Sequence, residues 1–106
     1  MEKTYHPILI SIAEDVIGLI QENSQVCCIT DAYRDDPESV HGHCRGLDFR
    51  TWDMPVSFIN ALCEAVNTLW TYDPKRPEKV CLMYHDVGQG AHLHLQVHPN
   101  TVRKNN

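Results

Sequence analysis

The sequence contains few basic residues, no long apolar run and no closely paired cysteine motif. Nine Lys and Arg stand against 14 Asp and Glu, which gives a net charge of -5. Because no cluster of basic residues is present to neutralise phosphates, we expect no nucleic-acid partner. No apolar stretch approaches the roughly 18 residues that a membrane span requires, so we expect no membrane contact.

The five cysteines show no CxxC spacing, and their number is odd. This pattern fits neither a disulfide framework nor a four-cysteine zinc site, and it favours buried, reduced thiols. The N-terminus has no basic segment followed by an apolar run and a small-residue cleavage site. We therefore expect no signal peptide and synthesis in a reducing cytoplasm.

A chain of 106 residues with 42% hydrophobic content predicts one globular domain that spans residues 1–106. Such a length buries enough surface for one hydrophobic core. We expect a monomer, with residues 99–106 as a flexible polar tail.

Two stretches carry the spacing of amphipathic helices. Apolar residues recur every three or four positions from Pro7 to Glu22, where Pro7 suits a first helical turn. A second helix is predicted to begin near Pro55, and its apolar stripe continues to Trp70.

Four shorter stretches predict strands. Residues 25–31 are rich in β-formers, and residues 44–50 alternate between two faces, with Asp48 opposite Leu47 and Phe49. Residues 79–86 and 91–97 flank a connection that contains two glycines, which is typical of a β-hairpin. Residues 71–78 are predicted to be a loop. The fold class is therefore α+β, with a small, mostly antiparallel sheet of about four strands and both helices packed on one face.

Six of the seven histidines follow residue 40. His41 and His43 precede Asp48, while His92 and His94 lie two positions apart and so share one face of the last strand. A carboxylate within an apolar strand pattern needs a partner. Histidine and aspartate together are typical ligands of catalytic zinc, although spacing does not choose between His41 and His43.

Residues 39–48 resemble the SxHxxGxAxD signature of one zinc peptidase family. This family groups D-alanyl-D-alanine carboxypeptidases and dipeptidases, phage L-alanyl-D-glutamate endolysins and the hedgehog amino-terminal domain. Ser39, His41 and Asp48 occupy the signature positions, Tyr33-Arg34 resembles the family's Tyr-Arg pair, and His92-Leu93-His94 resembles its HxH ending. The resemblance covers about residues 25–98 and implies a hedgehog or D,D-peptidase-like fold.

The resemblance implies zinc as the cofactor, with His41, Asp48 and His94 as its ligands. It also implies that His92 either supports the metal ligands from behind or stabilises the transition state, and that Arg34 contacts the carbonyl or carboxylate of the substrate. The implied activity is hydrolysis of a peptide bond that involves a D-amino acid in bacterial cell-wall stem peptides, by a carboxypeptidase or an endolysin-type endopeptidase. Without a signal peptide, the protein would reach the wall after release by host lysis machinery.

The chain departs from the family pattern at three points. Cys44 stands where glycine is usual, Gly46 stands where alanine is usual, and residues 87–90 contain none of the family's acidic general bases. Asp86 is the predicted base because of its place at the end of the hairpin, and His85 is the alternative.

The hairpin register decides between these two bases. Pairing of His85 with His92 places His85 on the histidine face, whereas pairing of Asp86 with Gly90 places Asp86 there.

A non-catalytic zinc-binding structural or interaction domain on the same fold is the alternative function. A metal-dependent nuclease is disfavoured by the acidic charge.

Overall fold

The computed structural model describes residues 5–31, 45–85 and 90–104 of the chain. Within these ranges the elements are, in chain order, α1 (Pro7–Glu22), β1 (Ile29–Asp31), β2 (Gly46–Phe49), α2 (Val56–Leu69), β3 (Trp70–Thr71), β4 (Leu82–His85), β5 (His92–Gln96) and β6 (Val102–Arg103). Neither of these two helices is long and apolar enough to cross a membrane.

The described strands form two antiparallel sheets. Strands β1, β2, β5 and β4 lie side by side in that order, while β3 pairs only with β6. The prediction of an α+β protein with two helices and mostly antiparallel strands is confirmed. Beside the four-stranded sheet, the described residues form a second, two-stranded sheet that the sequence analysis does not predict, because residues at the end of α2 pair with residues near the C-terminus.

Helix α1 has the bounds that its apolar spacing predicts. Pro7 occupies the first turn, and the ring Nδ1 of His6 accepts a hydrogen bond from the backbone N–H of Ile8 at 3.2 Å. At the other end, the side chain of Asn23 donates to the Leu19 carbonyl, and Ser24 adopts a left-handed φ of 60°. These local bonds satisfy backbone groups that a helix end leaves open.

The larger sheet has one apolar face and one polar face. Leu47 and Phe49 of β2 alternate with Asp48, and Leu93 and Leu95 of β5 alternate with the neighbouring polar residues. The apolar face joins both helices in one core, whose largest fully buried side chains are Leu9, Ile12, Val16, Ile20, Phe49, Ile59, Leu82, Leu93, Leu95 and Val97, with Val66 2% exposed. The helices therefore leave the opposite, histidine-bearing face to other contacts.

The predicted tail, residues 99–106, and the predicted loop, residues 71–78, both contribute to the second sheet, in which β3 pairs with β6. Thr101 is 2% exposed, and its hydroxyl donates to the carbonyl of Tyr72 at 2.7 Å. The backbone N–H of Lys104 donates to the carbonyl of Leu69 at 2.8 Å. Residues near the C-terminus thus contact the end of α2 and the residue that follows β3, and the flexible tail over residues 99–106 stays a prediction. Residues 105–106 lie outside the described residues.

The described cysteines are reduced thiols. Cys81 is fully buried, and burial raises the pKa of its thiol to about 12. Burial also raises the pKa of Cys63, and both burial and the neighbouring Cys28 raise that of Cys27. The thiolate is the form that binds metals, and the Cys81 thiol stays protonated at neutral pH. Cys81 is therefore a core residue and not a metal ligand.

Asn67 of α2 holds the beginning of β4. Its side-chain oxygen accepts hydrogen bonds from the backbone N–H groups of Cys81 and Leu82, at 3.1 and 3.0 Å, and its amide nitrogen donates to the Leu82 carbonyl at 2.8 Å. One side chain thus satisfies three backbone groups of the strand that leads to His85.

We expect Asn67→Ala to lower the free energy of unfolding by about 1–3 kcal/mol, because backbone groups of Cys81 and Leu82 lose their partner. Urea denaturation measures this loss. Asn60→Ala, at an exposed position of the same helix, is the control and should change stability little. Equal effects of the two variants would contradict the structural role of Asn67.

A buried carboxylate organises the turn that follows β3. Asp73 is 4% exposed, accepts from the backbone N–H of Lys75 at 3.0 Å and forms an ion pair with Arg76 at 3.1 Å. The Lys75 hydrogen bond is the main cause that lowers the pKa of Asp73, with further lowering by Arg76, Asn100 and His98, against the opposing effect of burial.

We expect Asp73→Asn to lower the melting temperature at pH 7. A lowered folded-state pKa means that the carboxylate stabilises the fold above its unfolded pKa of about 3.9, and that this contribution is lost as pH falls through the folded-state value. The difference from wild type should therefore shrink below about pH 4. Thermal melts from pH 2 to pH 8 test this, with the exposed Asp15→Asn as control. A difference that is constant with pH would contradict it.

Candidate metal centre

The polar face of the large sheet brings residues from three strands together. Asp48 of β2 pairs with His94 of β5, and His85 of β4 pairs with His92 of β5. Each pair consists of directly opposed residues in an antiparallel ladder, so their side chains project from the same face at close range. The hydroxyl of Thr51 donates to the carbonyl of Ala91 at 3.3 Å and ties the two chain segments together beside the site.

Asp48 and His94 form a short polar contact within the cluster. The Nδ1 atom of His94 lies 2.8 Å from Oδ1 of Asp48, and the two side chains are 12% and 9% exposed. This is the length of a charge-assisted hydrogen bond. The residues are 46 positions apart in the chain, so only the β2–β5 register brings them together.

The other ring nitrogen of His94 also faces an oxygen atom. Nε2 lies 3.2 Å from Oε1 of Gln96, and the amide nitrogen of Gln96 donates to the Val80 carbonyl at 3.0 Å. The bond to Val80 directs the amide oxygen of Gln96 toward the ring. Both nitrogens of His94 therefore face oxygen atoms of neighbouring side chains.

Gly90 positions the ring of His92. The Nδ1 atom of His92 lies 3.1 Å from the carbonyl oxygen of Gly90, which can only accept, so Nδ1 carries the proton. Gly90 has a φ of +96°, which favours glycine. In the neutral ring the lone pair of His92 is then on Nε2, and this atom lies 3.8 Å from Oδ1 of Asp48. That arrangement, with the proton on the backbone-bonded nitrogen, is typical of metal-ligating histidines.

His85 completes the histidine cluster. Its ring centroid lies 4.8 Å from that of His92, edge to face, and 5.2 Å from that of His94, stacked. One potential ligand atom from each of His85, His92 and His94 lies within 4.8 Å of the others, so the three could hold a metal ion. The observed register is the one for which the sequence predicts His85 on the histidine face.

Three of the residues predicted for the site are brought together, namely Asp48, His92 and His94. Arg34, His41 and Asp86 lie outside the described residues, as do His43 and Cys44. Their predicted roles remain predictions. The sequence analysis missed Gln96 and Gly90, although Gln96 shares the alternation of His92 and His94 and could have been found from it.

Comparisons with protein-family models, curated proteins and solved structures give no match. The site is therefore interpreted from its own geometry. Imidazole nitrogen and carboxylate oxygen together suit divalent transition metals, and imidazole in particular suits zinc, copper, iron and nickel. Asp48, His92, His94 and His85 present this donor set on one rigid face.

We expect His94→Ala to remove metal from the protein, because His94 contacts Asp48 and belongs to the histidine cluster. Wild type reconstituted with zinc and passed through gel filtration should retain about one ion per chain, and the variant less than about a tenth of that. Elemental mass spectrometry measures the content.

His98→Ala is the matched control, because His98 lies near Asp73 and away from the cluster. Equal retention by His94→Ala and wild type would contradict the assignment of the metal centre.

Proposed function

We propose that this chain is a zinc-dependent peptidase that hydrolyses a peptide bond involving a D-amino acid in bacterial cell-wall stem peptides. The observation that carries the proposal is the contact between Asp48 and His94 at 2.8 Å. These are two of the three residues that the resemblance to D-alanyl-D-alanine peptidases and phage endolysins implies as zinc ligands. They come from separate parts of the chain and meet on a face that also carries His92.

In this proposal His41, Asp48 and His94 hold the zinc. The described donors fit the ion, since one carboxylate oxygen and one imidazole nitrogen lie side by side and little exposed. Bound zinc would polarise the peptide carbonyl and lower the pKa of water to near 7.

The other residues predicted for the site bind and orient the substrate or move protons. His92 is proposed to stabilise negative charge on the carbonyl oxygen, a role that needs a proton on Nε2 in addition to the one on Nδ1 that faces Gly90, and Arg34 is proposed to assist it. Asp86 is proposed as the base that accepts the proton of the attacking water and passes it to the leaving amine. His85 is the alternative base, and the pairing of His85 with His92 is the register that favours His85 over Asp86.

We expect the zinc-reconstituted protein to release new amino groups from purified peptidoglycan. His41→Ala and Asp48→Asn should each abolish this release, while His98→Ala should retain it. The general base is identified by comparing Asp86→Asn with His85→Gln, since loss of the base lowers kcat by about 100- to 10,000-fold. Full activity in folded His41→Ala would contradict the ligand assignment.

The same assay separates the proposal from its alternative. A protein that retains zinc but leaves peptidoglycan and synthetic D-alanyl-D-alanine and L-alanyl-D-glutamate peptides uncut is a non-catalytic zinc-binding domain. Mass spectrometry of the soluble fragments identifies the bond that is cut when activity is found.

A further inference from the structure

Arg50 extends the polar face of the large sheet beyond the end of β2. Its backbone N–H donates to the carbonyl of Cys28 at 2.8 Å, so hydrogen bonding to the neighbouring segment continues one residue past the strand. The β2–β5 register, continued by the same residue, places Arg50 opposite His92. Since side chains alternate along a strand, Arg50 lies on the same face as Asp48.

A turn after β2 fixes the backbone around an exposed tryptophan. The hydroxyl of Thr51 donates to the carbonyl of Ala91 at 3.3 Å, and the backbone N–H of Met54 donates to the carbonyl of Thr51 at 3.1 Å. Asp53, within the turn, has a left-handed φ of 64°. Trp52 is 73% exposed beside these anchored residues. The turn therefore holds a large ring in solvent next to the polar face.

The guanidinium group of Arg50 lies over the ring of Trp52. Its Cζ atom is 4.0 Å from the ring centroid, which is a cation–π contact that restrains the long side chain. Among the described residues, no Asp or Glu forms an ion pair with Arg50. The N–H groups that bind a carboxylate through two parallel hydrogen bonds are therefore not taken up by a described acidic residue.

The charge of the protein gives this arginine a function in binding anions. A net charge of -5 repels an anion at long range, so a ligand with a carboxylate needs a local cation where it binds. Arg50 supplies one at the His92 end of the face, because an arginine side chain is charged at any physiological pH. Asp48 lies two positions earlier in the chain, at about 7 Å along the strand, and contacts His94.

We propose that Arg50, supported by the ring of Trp52, binds a carboxylate of the substrate. The distance along the strand places this carboxylate about two peptide residues from the Asp48–His94 contact. The inference rests on the proposed function and narrows its substrate class to peptides that carry a free carboxylate close to the bond that is cut.

The test compares pairs of synthetic peptides that differ only in a carboxylate or an amide. One pair ends in D-alanyl-D-alanine, with a free or amidated C-terminus, and the other contains L-alanyl-D-glutamate, with free or amidated glutamate carboxyl groups. Zinc-loaded wild type should have at least about tenfold higher kcat/KM on the carboxylate form. The difference should lie mainly in KM, because the carboxylate is bound alike before and during the reaction.

Arg50→Gln should lower this preference at least about tenfold, because the amide side chain has no charge to offer the carboxylate. Trp52→Ala should lower it about twofold to fivefold through loss of the cation–π contact. Arg103→Gln is the matched control, since Arg103 also lies over a tryptophan, Trp70, at 5.8 Å, but on β6 of the smaller sheet. It should keep the wild-type preference. Circular dichroism confirms that each variant is folded.

Two kinetic results would overturn the inference. One is equal kcat/KM of wild type on the two forms of the peptide that it cuts, and the other is an unchanged preference in Arg50→Gln.

Failure of the proposed function gives a different result, namely that wild type cuts none of the peptides. The same pairs are then titrated into the protein, and binding is followed by the NMR signal of the Trp52 indole N–H. Tighter binding of the carboxylate form that is lost in Arg50→Gln supports the role of Arg50. Equal binding of both forms, or binding that Arg50→Gln does not change, overturns it.

Discussion

The hydrogen bond between Asp48 and His94 is the interaction on which the polar face depends. A carboxylate in the middle of a largely buried strand is costly to desolvate, and a partner at 2.8 Å offsets this cost. Removing His94 would take this partner from Asp48, so the pair contributes to the fold as well as to metal binding. The same contact fixes the orientation of the His94 ring relative to Gln96.

This pair in turn requires the register of β2 against β5. A shift of one residue would exchange the two faces of a strand and place Leu47 or Phe49 among the histidines. The apolar core prevents that shift, because Phe49, Leu93 and Leu95 are fully buried on the opposite face. Packing of both helices against the apolar face therefore determines the geometry of the polar one.

Much of this arrangement follows from the sequence. The spacing of apolar residues from Pro7 to Glu22 predicts α1 with its observed bounds, and the alternation around Asp48 and through His92 and His94 predicts which residues share a face. The sequence does not predict the β3–β6 pair, since two-residue strands carry no periodicity. It also leaves the hairpin register open, because both loop lengths are compatible with the glycines and only the pairing of His85 with His92 decides it.

The order of the strands places some residues of the cluster on central strands and one on an edge strand. Asp48, His92 and His94 belong to the two central strands, each hydrogen-bonded on both sides, whereas His85 belongs to β4 at one edge of the four-stranded sheet. An edge residue can be exchanged without disturbing the ladder between β2 and β5. Sequence divergence at position 85 could therefore alter which ions the face accepts while its central framework is retained.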